Sequence, residues 1–187
     1  AMAQAATMDA ERVSGHLRGP LHGIPVLLKD NIGTRNMPTT AGSIAFASNI
    51  PKREAALVTQ LRTAGALILG KTNLSEFANW VDPRMPSGYS SLGGQVVAPF
   101  TSGDPSGSSS GSGVGGSMAF AAGTFGAETS GSILSPRDVN ALGGAKPTRG
   151  LRSRAAVTPL ARGFEPAAPT PPPLATQAPL PPAGRPP

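Results

Sequence analysis

Two short segments of the chain consist almost entirely of residues that can act on or hold a polar group. The first is Pro105-Ser-Gly-Ser-Ser-Ser-Gly-Ser-Gly113. By composition it also describes a flexible linker. A linker joins independent modules, however, and this segment runs straight into apolar Val114–Ala122 and then a strand-like stretch. The second is Thr129-Ser-Gly-Ser132, a tight polar turn between a strand-like run and Ile133-Leu134. Consecutive backbone N–H groups in such a turn converge on one point and hold an anion. Beside a nucleophilic hydroxyl, that is the geometry of an oxyanion hole. Taken alone, an ordinary surface turn accounts for it better.

Several better-known site patterns fail on their context. Gly107-x-Ser109-x-Gly111 matches a nucleophile elbow, which needs a histidine later in the chain. The two histidines, His16 and His22, both lie upstream. Gly111-x-Gly113-x-x-Gly116 matches a dinucleotide fingerprint, yet it follows a polar loop rather than a strand. No acidic residue stands about 20 positions further on in a suitable setting. No Gly-Lys-Ser/Thr closes the Pro105–Gly113 segment, so that segment is not a phosphate loop. The absence of cysteine removes thiol nucleophiles, disulfides and zinc–thiolate sites. His22 lies in the turn before a strand with no second ligand nearby, so it reads as structural. Neither a metal nor a cofactor is expected.

The elements that must position these segments follow from the apolar pattern. Small apolar residues with mixed charge predict a helix over 3–15, ended by Gly19-Pro20. Ile24-Pro-Val-Leu-Leu28 is the nearly continuous apolar run of a buried strand, with Lys29-Asp30 at its C-terminal end. Residues 31–50 read as loop. Ala56, Leu57, Leu61 and Ala64 keep helical spacing over 54–64, with Gly65 as a C-cap. Ala66–Leu69 predicts a second buried strand, and Asn73 and Ser75 would cap a helix through Glu76, Phe77 and Trp80. In that helix Phe77 and Trp80 read as core. Residues 83–113 are rich in Gly, Ser and Pro, 114–122 predict a small-residue helix, and 124–127 a third short strand. Strands alternating with helices point to a layered α/β fold.

Composition bounds the partners. Of 187 residues, 14% are charged and 4% aromatic, and the formal net charge is +6. The basic residues Arg137, Lys146, Arg149, Arg152, Arg154 and Arg162 are dispersed, without the interleaved aromatics of a base-stacking surface. They read as a solvated face, and no specific nucleic-acid partner is expected. No stretch reaches about 18 consecutive apolar residues, so no membrane span is expected. Ala1–Val13 has charges and no apolar signal region. That slightly favours a cytoplasmic setting without fixing the compartment, and the oligomeric state is not readable. Residues 164–187 hold 10 prolines in 24 positions and read as a disordered, Pro-rich C-terminal tail.

Five blocks in one order carry a resemblance. They are Gly23-Ile-Pro-Val-Leu-Leu-Lys29-Asp-Asn31, Gly70-Lys-Thr-Asn-Leu-Ser-Glu-Phe77, Asp104-Pro-Ser-Gly-Ser-Ser-Ser-Gly-Ser112, Glu128-Thr-Ser-Gly-Ser-Ile133 and Ala145-Lys-Pro-Thr-x-Gly150. Together they resemble the amidase signature family from about Gly19 to Arg162. Ser87-Gly-Tyr89 and Gly93-Gly-Gln95 are most similar to its peptide-amidase and fungal-amidase branch. The resemblance implies an α/β/α fold with a mixed sheet flanked by helices. Residues 1–163 would supply the N-terminal half of the catalytic domain, with the tail from 164 onward.

The resemblance also implies a chemistry. Ser132 would be the nucleophile, Ser108 the bridging serine after a cis peptide at Gly107–Ser108, and Lys29 the base. Ser109 is the neighbouring alternative for the bridge. The spacing of 24 residues between Ser108 and Ser132 agrees with the family pattern. A serine hydroxyl needs a base to act as a nucleophile. A lysine serves only when burial lowers its usual pKa of about 10.4. Lys29 ends an apolar run, where such burial is expected, while Asp30 must point elsewhere for it to count. The N–H groups of Thr129, Ser130, Gly131 and Ser132 would form the oxyanion hole. Tyr89 and Gln95 would line the entry for a small-molecule or peptide amide. Ser130, Ala127 and Leu134-Ser-Pro-Arg137 depart from common family residues. Family members continue well beyond Arg162. The chain by itself is therefore expected to be poorly stable or inactive, and an inactive remnant remains an alternative, as does a glutamine-hydrolysing transamidation subunit.

Overall fold

The computed structural model describes residues 1–144, 146 and 155–158, and the backbone of 167–170. A four-stranded sheet lies at the centre. The apolar run after Gly23 forms β1 (Pro25–Lys29), and the run after Gly65 forms β2 (Leu67–Thr72). β1 pairs in parallel with β2 on one side, from Pro25↔Leu67 to Lys29↔Thr72. On its other side it pairs in parallel with β5 (Gly123–Ala127). The backbone of β6 (Ala167–Thr170) adds antiparallel to β5, which gives the order β2-β1-β5-β6 and a mixed sheet. A short hairpin, β3 (Tyr89–Ser90) with β4 (Gly94–Gln95), forms a second sheet.

Helices cover both faces of the main sheet. Alternation along β1 sends Val26 and Leu28 to one face and Leu27 to the other. On the first face Leu57, Val58 and Leu61 of α2 (Ala56–Thr63) pack with Val26, Leu28, Ile68 and Phe125 in one buried cluster. Each such side chain contributes roughly 1.5–3 kcal/mol by leaving water. On the second face lies α3 (Ser110–Ser117), whose sequence SGSGVGGS has almost no side chains. Glycine inside a helix costs about 0.5–1 kcal/mol relative to alanine. Close approach explains its use here: a Cβ on Gly111 would stand 2.5 Å from the Asn73 carbonyl oxygen. The α/β/α layering expected from the pattern is therefore present. Two further helices, α1 (Met2–Val13) and α4 (Leu134–Val139), flank the layers.

Three expectations need correction. No α-helix forms over 75–80. Phe77, Ala78 and Asn79 have φ of 43°, 57° and 66° and wind a left-handed turn. The Phe77 N–H is drawn to the Ala41 carbonyl and the Ala78 N–H to that of Ser75, long-range and local bonds that outcompete the helix. As a result Trp80 is 78% exposed rather than core, and Phe77 is half-buried, with its ring edge-to-face with Phe46 at 6.0 Å between centroids. The small-residue helix starts earlier, at Ser110, because hydroxyls and glycines are what the close packing admits. Within the stretch read as a disordered tail, residues 167–170 form a strand. Among the described residues this strand is the outermost of the sheet, held to β5 by backbone pairing that includes Phe125↔Pro169. The rest of 164–187 lies outside the described residues.

Candidate active site

Parallel strands deliver their C-terminal ends to one edge of the sheet, where ligands of open α/β folds bind. Here those ends carry Lys29 (β1), Thr72 (β2) and, just after β5, Glu128. Lys29 is 0% exposed. Its Nζ donates to Ser108 Oγ at 2.7 Å and to the Ala127 carbonyl at 3.0 Å. Ser108 Oγ in turn donates to Ser132 Oγ at 3.1 Å. The three residues picked out in sequence thus form one continuous amine–hydroxyl–hydroxyl chain, although they come from three separate segments. A hydroxyl both donates and accepts, so the same chain can carry protons in the reverse direction, from Ser132 to Lys29.

Of the two neighbouring serines, Ser108 is the one that lies between Lys29 and Ser132. The Ser109 hydroxyl donates to the Ala127 carbonyl and its N–H to the Ser132 carbonyl, so it ties backbone rather than bridging side chains. The Gly107–Ser108 peptide is cis. A Cβ on Gly107 would crowd Ser75 and the Asn79 side chain, which bounds that peptide on the β2 side. The Ser75 N–H donates to the Ser108 carbonyl at 3.2 Å.

The turn 129–132 follows β5 directly, with Gly131 at φ 77°. Glu128 anchors it from behind. Its buried carboxylate accepts the N–H groups of Ile133 (2.7 Å) and Leu134 (3.0 Å) and pairs with Lys146 Nζ at 2.6 Å. Burial would push this carboxyl up. Lys146 and the N–H groups of Leu134, Ile133 and Gly131 outweigh it and hold Glu128 below the usual carboxylate range. Sequence reading missed Glu128, although the signal that singled out Lys29, a charged residue ending a buried apolar run, applies to it as well.

Asp30 points away from Lys29, as strand alternation requires. Its carboxylate accepts the Thr40 N–H and hydroxyl and sits 3.5 Å from Lys71 Nζ. Lys71 also donates to the Ile32 carbonyl (2.6 Å) and Thr39 Oγ1 (2.8 Å). Burial lowers the Lys71 pKa to about 8, with Asp30 pulling it partly back up.

Tyr89 and Gln95 are brought together as cross-strand partners of the β3–β4 hairpin. The Gln95 amide donates to the Ser87 and Val96 carbonyls, and Tyr89 is 42% exposed. The hairpin stands on the segment after β2: the Gly88 N–H donates to Ser75 Oγ, and Ser90 Oγ donates to Asn73 Oδ1. Neither Tyr89 nor Gln95 is bonded to Lys29, Ser108 or Ser132 in these contacts. His22 has backbone partners on both ring nitrogens, the Arg18 N–H and the Met8 carbonyl, which is a structural arrangement. Among the described residues no cluster of three acidic or histidine side chains suits a metal ion, and no helix is long and apolar enough to cross a membrane.

Known proteins share this arrangement of blocks and layers. The family model described as Amidase matches residues 1–172, and the chain belongs to that family. It is 48% identical over 162 residues to a putative amidase of Arthroderma benhamiae, covering 86% of this chain and 27% of that protein. It is 42% identical over 156 residues to a glutamyl-tRNA(Gln) amidotransferase subunit of Trichodesmium erythraeum, covering 82% of this chain and 31% of that one. Among solved structures, native peptide amidase from Stenotrophomonas maltophilia superposes with a TM-score of 0.87 at 48% identity, over 90% of this chain and 34% of that one. The chain thus spans about a third of the length of the relatives it matches.

Proposed function

We propose that the protein containing this chain hydrolyses a carboxylic amide through an acyl-enzyme on Ser132. The observation that carries the reading is the buried chain from Lys29 Nζ to Ser108 Oγ to Ser132 Oγ, at 2.7 and 3.1 Å. Removal from water favours the neutral amine of a lysine. As the amine accepts the Ser108 proton, Ser108 accepts that of Ser132, and Ser132 Oγ bonds to the amide carbonyl carbon. The carbonyl electron pair moves to oxygen, and N–H groups of Thr129, Ser130, Gly131 and Ser132 receive the charge, at about 2.7–4 kcal/mol per donor. Collapse breaks the C–N bond, and the departing nitrogen takes the proton back through Ser108. Water, deprotonated by the same relay, then cleaves the ester and frees the acid. Tyr89 and Gln95, on the hairpin beside Ser75, would form part of the substrate entry.

The test is labelling of the full-length protein with a fluorophosphonate, followed by turnover of a C-terminally amidated peptide and of glutamine. Labelling that vanishes in Ser132→Ala, with release of ammonia from the peptide amide, is expected. Turnover of glutamine alone would move the reading to transamidation, the activity named for one relative. A wild-type protein that takes no label would overturn it.

A further inference from the structure

Lys29 and Asp30 are adjacent at the end of β1, so the proposed base sits one residue from a carboxylate. An acidic neighbour strengthens a lysine's hold on its proton, which works against a base. We infer that Lys71 is a positioning residue that compensates Asp30, so that Lys29 deprotonates at a lower pH than it otherwise would. The inference rests on the amidase reading above.

The geometry supports this in three ways. The β1–β2 register sets Lys71 beside Leu28, one residue before Lys29. Its Nζ reaches past the strand to Asp30 Oδ1, the Ile32 carbonyl and Thr39 Oγ1, which pins the carboxylate and its loop on the side away from Ser108. Thr40 completes the set through its N–H and hydroxyl. Among the described residues, two other carboxylates that follow the sheet strands have partners of their own. Glu128, after β5, is held by Lys146 and backbone N–H groups, and Glu76, after β2, accepts the Ser91 N–H. Lys29 is reached from the segment before α3 by the Ser108 hydroxyl and, through it, by that of Ser132, and from the end of β5 by the Ala127 carbonyl. Removal of Lys71 therefore leaves Asp30 as an uncompensated negative charge beside the base. Lys71 carries its compensating charge below about pH 8.

The experiment measures the rate of fluorophosphonate labelling of Ser132 against pH in the full-length protein. In Lys71→Met the acid limb moves up by about one pH unit, the size expected for one partly screened charge at this range. Lys71→Arg, which keeps the charge, returns the limb to its wild-type position. Asp30→Asn moves the limb down, and it decides the matter if Lys71→Met does not fold. A structural role alone lowers the rate at every pH without moving the limb. A limb that stays in place in both Lys71→Met and Asp30→Asn overturns the inference, as does Lys71→Arg behaving like Lys71→Met. Wild-type protein that takes no label at any pH overturns the amidase reading and this inference with it. Label with an unmoved limb overturns this inference alone.

Discussion

The two ends of β1 both bury polar side chains, and they use them differently. At the N-terminal end His22 is clasped by the Arg18 N–H and the Met8 carbonyl, while Arg12 donates to the His22 carbonyl. Each of these bonds has a backbone group on one side, so each has one donor and one acceptor and stays as it is. At the C-terminal end Lys29 donates to a hydroxyl, which donates to another hydroxyl. Such a chain has two directions. Buried polar groups satisfied by backbone rigidify a fold, whereas those satisfied by one another can also pass a proton.

The comparison breaks most directly at the reactive end. Ser132→Ala and Lys29→Met should each lower amide turnover of the full-length protein by about a thousandfold or more, with thermal unfolding that stays cooperative. If either retains wild-type turnover, the C-terminal end is no more than a second structural clasp. Next is the pH dependence of stability. The Lys71 pKa is depressed when folded, so the unfolded chain binds the extra proton. Below about pH 8 the buried ammonium costs stability, and that cost fades as pH rises toward 10.5. The gain is up to roughly 3 kcal/mol, visible as a melting temperature that climbs over this window. A flat or falling trend would place Lys71 in water.

At the other end, His22→Leu should cost about 1–3 kcal/mol in denaturant unfolding by orphaning its backbone partners. Turnover per folded molecule should not change, and a selective loss of kcat would erase the distinction between the ends. The smallest effect belongs to Glu128→Gln, which keeps the shape but weakens the bonds to Ile133, Leu134 and Lys146. Labelling of Ser132 should slow by about tenfold, near 1.4 kcal/mol. An unchanged rate would mean that the turn holds itself.

The same contrast explains what was legible in the sequence. β1, β2 and β5 announce themselves as short apolar runs, because burial on both faces leaves no other composition. Lys29 is visible for the same reason, as the charge that ends such a run. The left-handed turn at Phe77–Asn79 is not, because the bond from Phe77 to Ala41 is set by a loop more than thirty residues away. β6 is hidden because its sequence, Ala-Ala-Pro-Thr, carries no apolar strand pattern and lies among prolines. Lys71 and Asp30 meet only through the sheet register, which no local window contains. The resemblance supplied Ser108 and Ser132. It did not supply Glu128 or the second lysine, which become visible only when their partners are in place.

The spacing of the site has a consequence for how the chain is made. Ser108 follows Lys29 by 79 residues and the Ala127 carbonyl follows it by 98. At about 5–20 residues per second, a ribosome releases Lys29 roughly 5–20 s before the Ala127 carbonyl. During that interval the lysine that will be sealed at the sheet edge is an ordinary hydrated ammonium. β1 can pair with β2 early, but its other flank stays open until β5 arrives. The nascent protein therefore holds an unfinished sheet edge for seconds, a delay set by the same long-range connectivity that assembles the site.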